Sequence, residues 1–196
     1  AKALAFGLNI PFVGVNHIEG HVYSIAFENP AVEYPAFALI VSGGHTNLFY
    51  LPEEGKYKVV ARTRDDAAGE AFDKVAKMLN LGYPGGPVIE RLAREGDKQK
   101  IKFPIAKISD GRPDYSFSGL KTHALNTWNQ SAKKESDRSE IAKAFQQAVV
   151  ETLIIKCKRA IKESQSKRLV VAGGVGANKA LRSALQKWIK DIKGEV

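Results

Sequence analysis

A mixed α/β fold is predicted by three features of the 196-residue sequence. Apolar strand-like runs alternate along the chain with segments of helical periodicity, which is typical of α/β proteins. The run FALIV at 37–41 is wholly apolar, as in a strand that is buried on both faces of a sheet. Hydrophobic residues make up 44% and charged residues 26% of the chain, which is the composition of a globular protein with one good core.

The first segments are expected to form a helix, a strand, a second helix and a hairpin. AKALAFGLN (1–9) has a helical pattern, PFVGV (11–15) favours a short strand, and a helix is expected over HIEGHVYSIAF (17–27). FALIVSGGHTNLFYL (37–51) predicts a β-hairpin that turns at Ser-Gly-Gly, and GKYKVVARTR (55–64) predicts a further strand. With a hairpin in it, the predicted sheet is mixed.

Two helices are expected next. The apolar stripe of DDAAGEAFDKVAKMLNL (65–81) predicts a helix, with Asp65 and Asp66 at its start, where acids cap a helix and suit its dipole. LGYPGGPVIERLAREG (81–96) predicts a glycine turn that leads into a second helix, with Pro87 at its first position.

The C-terminal half predicts helices around one more strand. KFPIAKISDGRPDYSFSGLKTHALN (102–126) begins irregularly and ends by entering a helix, and a long amphipathic helix is expected to start near Ser139. KRLVVAGGVGANKALRSALQKWIK (167–190) predicts a strand, a glycine turn and a helix.

Composition also limits the function classes. No apolar run approaches the roughly 20 residues of a membrane span, and the first residues lack the pattern of a signal peptide. The single cysteine, Cys157, excludes an internal disulfide and a cysteine-rich zinc site, and it fits a reducing compartment. The net charge of +9 favours a polyanionic partner such as RNA, although a basic surface without a ligand is the alternative.

Three glycine-rich turns indicate a bound phosphate or nucleotide. They are SGG at 42–44, PGGP at 84–87 and AGGVGAN at 172–178. Glycine lets backbone N–H groups approach an anion closely, although any one such turn is more often just a turn. The third is not a dinucleotide fingerprint, because Lys179 stands where the last glycine would be. Asn178 is expected to act as a helix cap or as a ligand contact.

Two acids and two histidines are the candidate side chains. Asp73 lies off the apolar stripe, so it either pairs with Lys77 or accepts hydrogen bonds from a ligand, and Glu90 allows the same two interpretations. His17 and His21 are four residues apart and share one helix face, as a metal pair or as two polar side chains. A zinc protease needs its glutamate directly after the first histidine, and here the acid is one position further on.

Six motifs carry a resemblance to a known family: HIEGH, LIVSGGHTNL, DDAAGEAFDKVAKML, YPGGP, DYSFSGLKT and VVAGGVGANKAL. In this order and spacing they resemble the tRNA N6-adenosine threonylcarbamoyltransferase family, formerly described as O-sialoglycoprotein endopeptidases. The resemblance covers essentially the whole chain. It implies an actin-like ATPase fold of the sugar-kinase, chaperone and actin type, which is ribonuclease H-like. Residues 1–13 are then the tail end of the first lobe and 14–196 an incomplete second lobe, so we expect a fragment.

The resemblance also implies the site residues. His17 and His21 match the family's metal pair, and a further ligand, an aspartate, is expected outside this sequence. The positions that match substrate contacts are Ile40, Val41, Ser42, Gly43, Gly44, Asp73, Gly86, Glu90 and Asn178. The general base stays unknown, since Lys121, His45 and His123 are all readily explained as structural or solvated.

The implied activity is transfer of threonylcarbamoyl from threonylcarbamoyl-AMP to N6 of adenosine 37 in tRNAs that read A-starting codons. The expected cofactors are one divalent metal, iron or zinc, and threonylcarbamoyl-AMP or ATP as the bound nucleotide. The expected partners are tRNA and accessory proteins, in bacteria an inactive paralogue and a small ATPase, in the cytoplasm and without a membrane. A metal-dependent endopeptidase and a non-catalytic scaffold paralogue are the alternatives, and this chain alone is expected to be inactive.

Overall fold

The computed structural model describes residues 1–24, 32–97, 101–106, 113–164, 166–194 and 196. Seven α-helices and four β-strands lie in these residues. In chain order they are α1 (Lys2–Gly7), α2 (His17–Tyr23), β1 (Ala36–Val41), β2 (Thr46–Glu53), β3 (Lys56–Arg62), α3 (Ala68–Met78), α4 (Gly85–Ala93), α5 (Ser118–Gln130), α6 (Glu135–Lys162), β4 (Leu169–Ala172) and α7 (Lys179–Asp191).

The four strands form one mixed sheet in the order β3-β2-β1-β4. The hairpin strands β1 and β2 are antiparallel, as are β2 and β3, whereas β4 pairs with β1 in parallel. All six residues of β1 are buried, because this strand lies between β2 and β4 and has helices over both of its faces. The predicted hairpin and the all-apolar strand are therefore confirmed.

Alternate residues of β1 face two separate hydrophobic clusters. Phe37, Leu39 and Val41 belong to the larger cluster, which also takes apolar side chains from α3, α4, α5, α6 and α7. Ala38 and Ile40 belong to the smaller one, which α2 covers through Val22. The histidine helix is thus packed on the opposite face of the sheet from the main helical layer.

Two predicted elements differ from the structure. Residues 11–15 form no strand, and Val13 and Val15 are 81% and 78% exposed, because no strand of the described residues lies beside them to accept their backbone hydrogen bonds. The long helix starts at Glu135, four residues before Ser139, because polar residues that look like a loop form its first turn. The predicted extension of α2 to 27 lies outside the described residues from 25 onward.

The acids before α3 do not cap it. The helix starts at Ala68, so Asp65 and Asp66 lie upstream of the position from which a side chain can cap. Asp66 instead accepts hydrogen bonds from Lys74 Nζ at 2.6 Å and Lys121 Nζ at 2.9 Å. The predicted position of Pro87 is also wrong, because α4 begins two residues earlier with Gly85.

Asp65 connects the segment before α3 to the start of α5 through hydrogen bonds. Its carboxylate accepts hydrogen bonds from Ser116 Oγ at 2.6 Å, Phe117 N at 2.8 Å and Ser118 Oγ at 2.8 Å. Burial raises the pKa of this carboxyl, but the hydrogen bonds from Phe117, Ser116 and Ser118 outweigh burial, so the net pKa lies below its ordinary value of 3.8. The ionised carboxylate therefore stabilises the folded state.

Asp65→Ala is expected to lower the free energy of unfolding by about 1–2 kcal/mol at pH 7, because three donors lose their acceptor at a partly solvated site. Since the folded pKa is depressed, the difference from the parent is full above pH 3.8 and shrinks as the pH falls through the lower folded pKa. Urea unfolding at several pH values measures it. Asp191→Ala, at the exposed end of α7, is the control and should change stability by less than about 0.5 kcal/mol.

No helix in the described part of the chain combines the length and apolar character that crossing a membrane requires.

Candidate nucleotide and metal site

The turn between β1 and β2 lies directly against the start of α3. The Gly69 N–H donates to the Ser42 carbonyl at 3.2 Å, and the Ala68 N–H donates to Thr46 Oγ1 at 2.8 Å. A Cβ at Gly69 would lie only 2.6 Å from the Ser42 oxygen and 2.8 Å from Gly43 Cα. Glycine at 69 is what allows helix and turn to approach this closely.

Within this turn the backbone presents donors to the surface. The Ser42 N–H donates to the His45 carbonyl at 2.8 Å, and the His45 N–H donates to Ser42 Oγ at 3.1 Å, which holds the turn in shape. Gly43 and Gly44 are exposed, and no hydrogen bond among the described residues uses their N–H groups. Two N–H groups in a fixed turn are suited to an anionic oxygen. Ile40 and Val41 are fully buried in β1, so only their backbone can contribute to this site.

The turn after β4 meets the same end of the sheet. Gly173 has a φ of +94°, and a Cβ there would collide with the carbonyl of Val41, the last residue of β1. A short 3-10 helix follows at Gly174–Ala177, and Asn178 then starts α7. Asn178 Oδ1 accepts the Leu181 N–H at 3.0 Å, which confirms the helix-cap interpretation of this residue.

The PGGP corner is fixed by Asp73. Asp73 Oδ1 accepts the Gly85 N–H at 2.7 Å, while a pair with Lys77 is not found among the described residues. Asp73 lies one helical turn after Gly69, so this corner and the hairpin turn lie at neighbouring positions along α3. A Cβ at Gly86 would meet no atom within 4 Å, so space is open beside it.

Glu90 joins this corner to the start of α7. Its Oε1 accepts the Lys179 N–H at 3.1 Å and a hydrogen bond from Arg94 Nη2 at 3.3 Å. Lys179 directly follows Asn178, so Glu90 and Asn178 lie on facing sides of the gap between α4 and α7. The structure thus places the hairpin turn beside the turn after β4. It also places Glu90 beside Asn178.

His17 and His21 lie side by side on α2. Asn16 starts this helix, since its Oδ1 accepts the Ile18 N–H at 2.9 Å. The two imidazole rings are 4.6 Å apart between centroids, close enough for both to reach one ion. Partial burial, and then the charges of His17 and His45, lower the pKa of His21, which favours the neutral form that binds metal.

Sequence reasoning missed the place of His45. Its ring centroid lies 5.4 Å from that of His17, so the residue that follows the Ser-Gly-Gly turn faces the histidine pair. The available clue was its position directly after the turn. The described residues hold no group of three metal-ligating side chains arranged around one point, so they offer a divalent ion the two imidazoles of α2. Such a donor set fits a metal that takes its remaining ligands from elsewhere.

The other candidate side chains have surroundings of their own. Lys121 is paired with Asp66, and the ring of His123 packs edge-on against Phe103 at 4.7 Å. Glu19 lines a small hollow with Glu53 and Tyr57, which is at the other end of β2 from His45. A glutamate there is badly placed to serve as a base beside the two histidines.

Comparison with known proteins gives consistent matches. The family model described as tRNA N6-adenosine threonylcarbamoyltransferase matches residues 1–196. Proteins with this name from Legionella pneumophila strains Corby and Paris are 64% identical over all of this chain, and the protein from strain Lens is 63% identical. The chain spans 59% of the length of these relatives.

One solved structure has a similar fold. It is the activator of the 2-hydroxyisocaproyl-CoA dehydratase from Clostridium difficile with bound ADPNP, and the TM-score is 0.57 at 14% identity. The match covers 93% of this chain and 61% of the activator. At this identity the likeness concerns the fold alone.

Proposed function

Because the chain belongs to the tRNA N6-adenosine threonylcarbamoyltransferase family, we propose that it is the larger part of an enzyme that transfers threonylcarbamoyl from threonylcarbamoyl-AMP to N6 of adenosine 37 in tRNA. The observation that carries this proposal is the pair of open N–H groups at Gly43 and Gly44, between the turn after β4 and the histidine pair. Backbone donors of this kind are suited to the phosphate oxygens of an acyl phosphate.

In the proposed reaction the amine N6 attacks the carbamoyl carbon, the bond from that carbon to the phosphate oxygen breaks, and AMP leaves with the bonding electrons. The N–H groups of Gly43 and Gly44 hold the phosphate side of the donor and stabilise the charge on the departing AMP. Asp73, Gly86, Glu90 and Asn178 form the nucleoside side. The proton that N6 loses passes to the surrounding water, and no side chain of the described residues is given the role of its base.

His17 and His21 are the residues that hold a divalent metal in this proposal, and iron and zinc both accept imidazole ligands. When bound, the metal supplies a Lewis acid beside the acyl group. The role of the two side chains is to keep two imidazoles together on one helix face, with His45 on the side of the hairpin turn. The remaining ligand, an aspartate, is expected in the part of the relatives' length that this chain does not span.

Transfer RNA is the proposed acceptor, and the net charge of +9 suits it. Two of the basic residues have acidic protein partners, since Arg64 pairs with Asp114 and Lys121 with Asp66. Lys133 and Lys134 are exposed, and we propose them as contacts for tRNA phosphates together with Arg112, which lies outside the described residues. An inactive paralogue and a small ATPase are the proposed accessory partners, with the cytoplasm as the proposed location.

Residues 1–13 are proposed to belong to the first lobe. Leu4, Phe6 and Leu8 are 69%, 91% and 66% exposed, so the described residues leave the apolar face of α1 and its continuation uncovered. A run of exposed apolar side chains favours packing against further protein. The remainder of a chain of the relatives' length is the proposed cover.

Reconstitution tests the proposal. A protein of the relatives' full length that carries this sequence would receive its accessory partners, threonine, bicarbonate, ATP, the enzyme that makes the adenylate, and unmodified tRNA. Mass spectrometry of the nucleosides is expected to find threonylcarbamoyladenosine. No product from a folded, metal-loaded protein would contradict the proposal, and peptide cleavage that a chelator stops would favour the endopeptidase instead.

A further inference from the structure

A cavity of about 420 Å³ lies between α4, α6 and α7, next to the Glu90–Lys179 contact. Ala93 and Arg94 of α4, Lys143 and Gln146 of α6, and Ser183 of α7 are among its lining residues. Because Glu90 and Lys179 also line it, the cavity adjoins the proposed nucleoside side of the site. Its volume is ample for a purine ring.

Gln146 is the buried polar side chain of this cavity, at 7% exposure. A chain of hydrogen bonds fixes the orientation of its amide. The Leu181 N–H requires an acceptor, so Asn178 turns Oδ1 toward it and Nδ2 toward Gln146. Asn178 Nδ2 then donates to Gln146 Oε1 at 2.9 Å. The Gln146 Nε2 group is left as the free end, since the hydrogen bond from Asn178 is the one that the Gln146 amide makes among the described residues.

We propose that Gln146 is a specificity-determining residue, whose Nε2 donates a hydrogen bond to a ring nitrogen of the adenine base bound in this cavity. The inference rests on the proposed function, because it assumes that an adenine nucleotide occupies the neighbouring site. Adenine offers ring nitrogens as acceptors, and Ala93, Val150 and Ala180 give the cavity an apolar wall for the ring face. Asn178, which caps α7, thereby determines that the Nε2 group of Gln146 faces the base.

Gln146→Glu separates recognition of the base from folding. A glutamate keeps an oxygen that accepts from Asn178 Nδ2, but it presents an oxygen in place of the N–H toward the cavity. Arg94, Lys143 and Lys179 around the cavity favour the ionised form of that carboxyl. We expect this variant to bind ATP at least about tenfold more weakly than the parent does. Its affinity for GTP should rise relative to that for ATP, because guanine presents N–H donors to the new carboxylate.

Gln147→Glu is the matched control. Gln147 lines the same cavity and is exposed, and among the described residues no hydrogen bond joins it to Asn178. The variant therefore adds the same charge without changing the hydrogen bond between Asn178 and Gln146. Calorimetric titration of ATP and GTP into the full-length protein measures the two affinities, and thermal unfolding measures whether the variants are folded. The ratio of ATP to GTP affinity should fall at least about tenfold in Gln146→Glu and stay within about threefold of the parent in Gln147→Glu.

A second measurement needs no variant. Deaza analogues of ATP, in which each ring nitrogen acceptor in turn is replaced by C–H, are titrated into the parent protein. One of them should bind about tenfold more weakly than ATP. Equal binding of every analogue, or an equal loss of ATP affinity in both glutamate variants, would overturn the inference. These are binding measurements, so they are independent of the reconstitution assay. Selective ATP binding without formation of threonylcarbamoyladenosine would contradict the proposed function and support this inference.

Discussion

His17→Ala in the full-length protein is expected to lower its metal affinity and its threonylcarbamoyl transfer by at least about 100-fold each. The imidazoles of His17 and His21 are 4.6 Å apart on one face of α2, and loss of one leaves a single histidine ligand from this chain. A lone imidazole does not hold a divalent ion against water and chelators. Metal content after dialysis against a weak chelator, measured by plasma mass spectrometry, reports the first effect directly.

His17 is exposed, so its replacement should change the free energy of unfolding by less than about 0.5 kcal/mol, and loss of metal can then be separated from loss of fold. His123→Ala is the matched control, because it removes an imidazole that packs against Phe103 on the other side of the molecule's sheet. It should keep the metal. Full metal content and full transfer in His17→Ala would show that the helix pair is not the metal site.

The fold was predictable from the sequence wherever burial or periodicity dominates. Membership of the family, together with the fold likeness, confirms the predicted actin-like ATPase fold. The all-apolar run at 37–41 predicted a central strand, and the structure buries it completely. The segment 11–15 is also five residues long and mostly apolar. A strand also needs a partner edge, however, and sequence composition carries no information about that.

The site was predictable in its residue types and less so in its contacts. Three glycine turns predicted backbone donors, and the hairpin turn has them. Asp65 and Asp66 resembled helix caps, yet Asp65 binds Phe117, 52 residues away, and Asp66 binds Lys121, 55 residues away, and Lys74, eight residues away on α3. Local rules such as capping cannot foresee those partners. His45 was missed for the same reason, since only the packing of α2 on the sheet brings it near His17.

Gly69→Ala is expected to reduce transfer by about 100-fold and the free energy of unfolding by about 2–3 kcal/mol. The added Cβ would lie 2.6 Å from the Ser42 carbonyl oxygen and 2.8 Å from Gly43 Cα, where ordinary contacts begin near 3.4 Å. The neighbouring atoms are backbone, so no flexible side chain can swing aside. The hairpin turn must therefore move by roughly 0.5–1 Å, a displacement that is costly at a catalytic site.

Gly119→Ala is the control for Gly69→Ala, because Gly119 is also the second residue of its helix, and a Cβ there meets no atom within 4 Å. It should stabilise the protein by about 0.5–1 kcal/mol through helix propensity. Urea unfolding and transfer assays on both variants make the comparison. Unchanged transfer in Gly69→Ala would mean that the turn does not hold the donor.

The clash at Gly69 cannot be relieved by moving α3 instead of the turn. The Ala68 N–H donates to the buried Thr46 Oγ1 at 2.8 Å, and the Gly69 N–H donates to the Ser42 carbonyl at 3.2 Å, so a shift of the helix breaks two hydrogen bonds at its first turn. The same helix carries Asp73, whose bond to the Gly85 N–H fixes the PGGP corner. A displaced α3 would disturb both sides of the proposed nucleotide site, and a displaced turn only one. In Gly69→Ala, ATP binding that weakens less than transfer would therefore identify the turn as the part that moves.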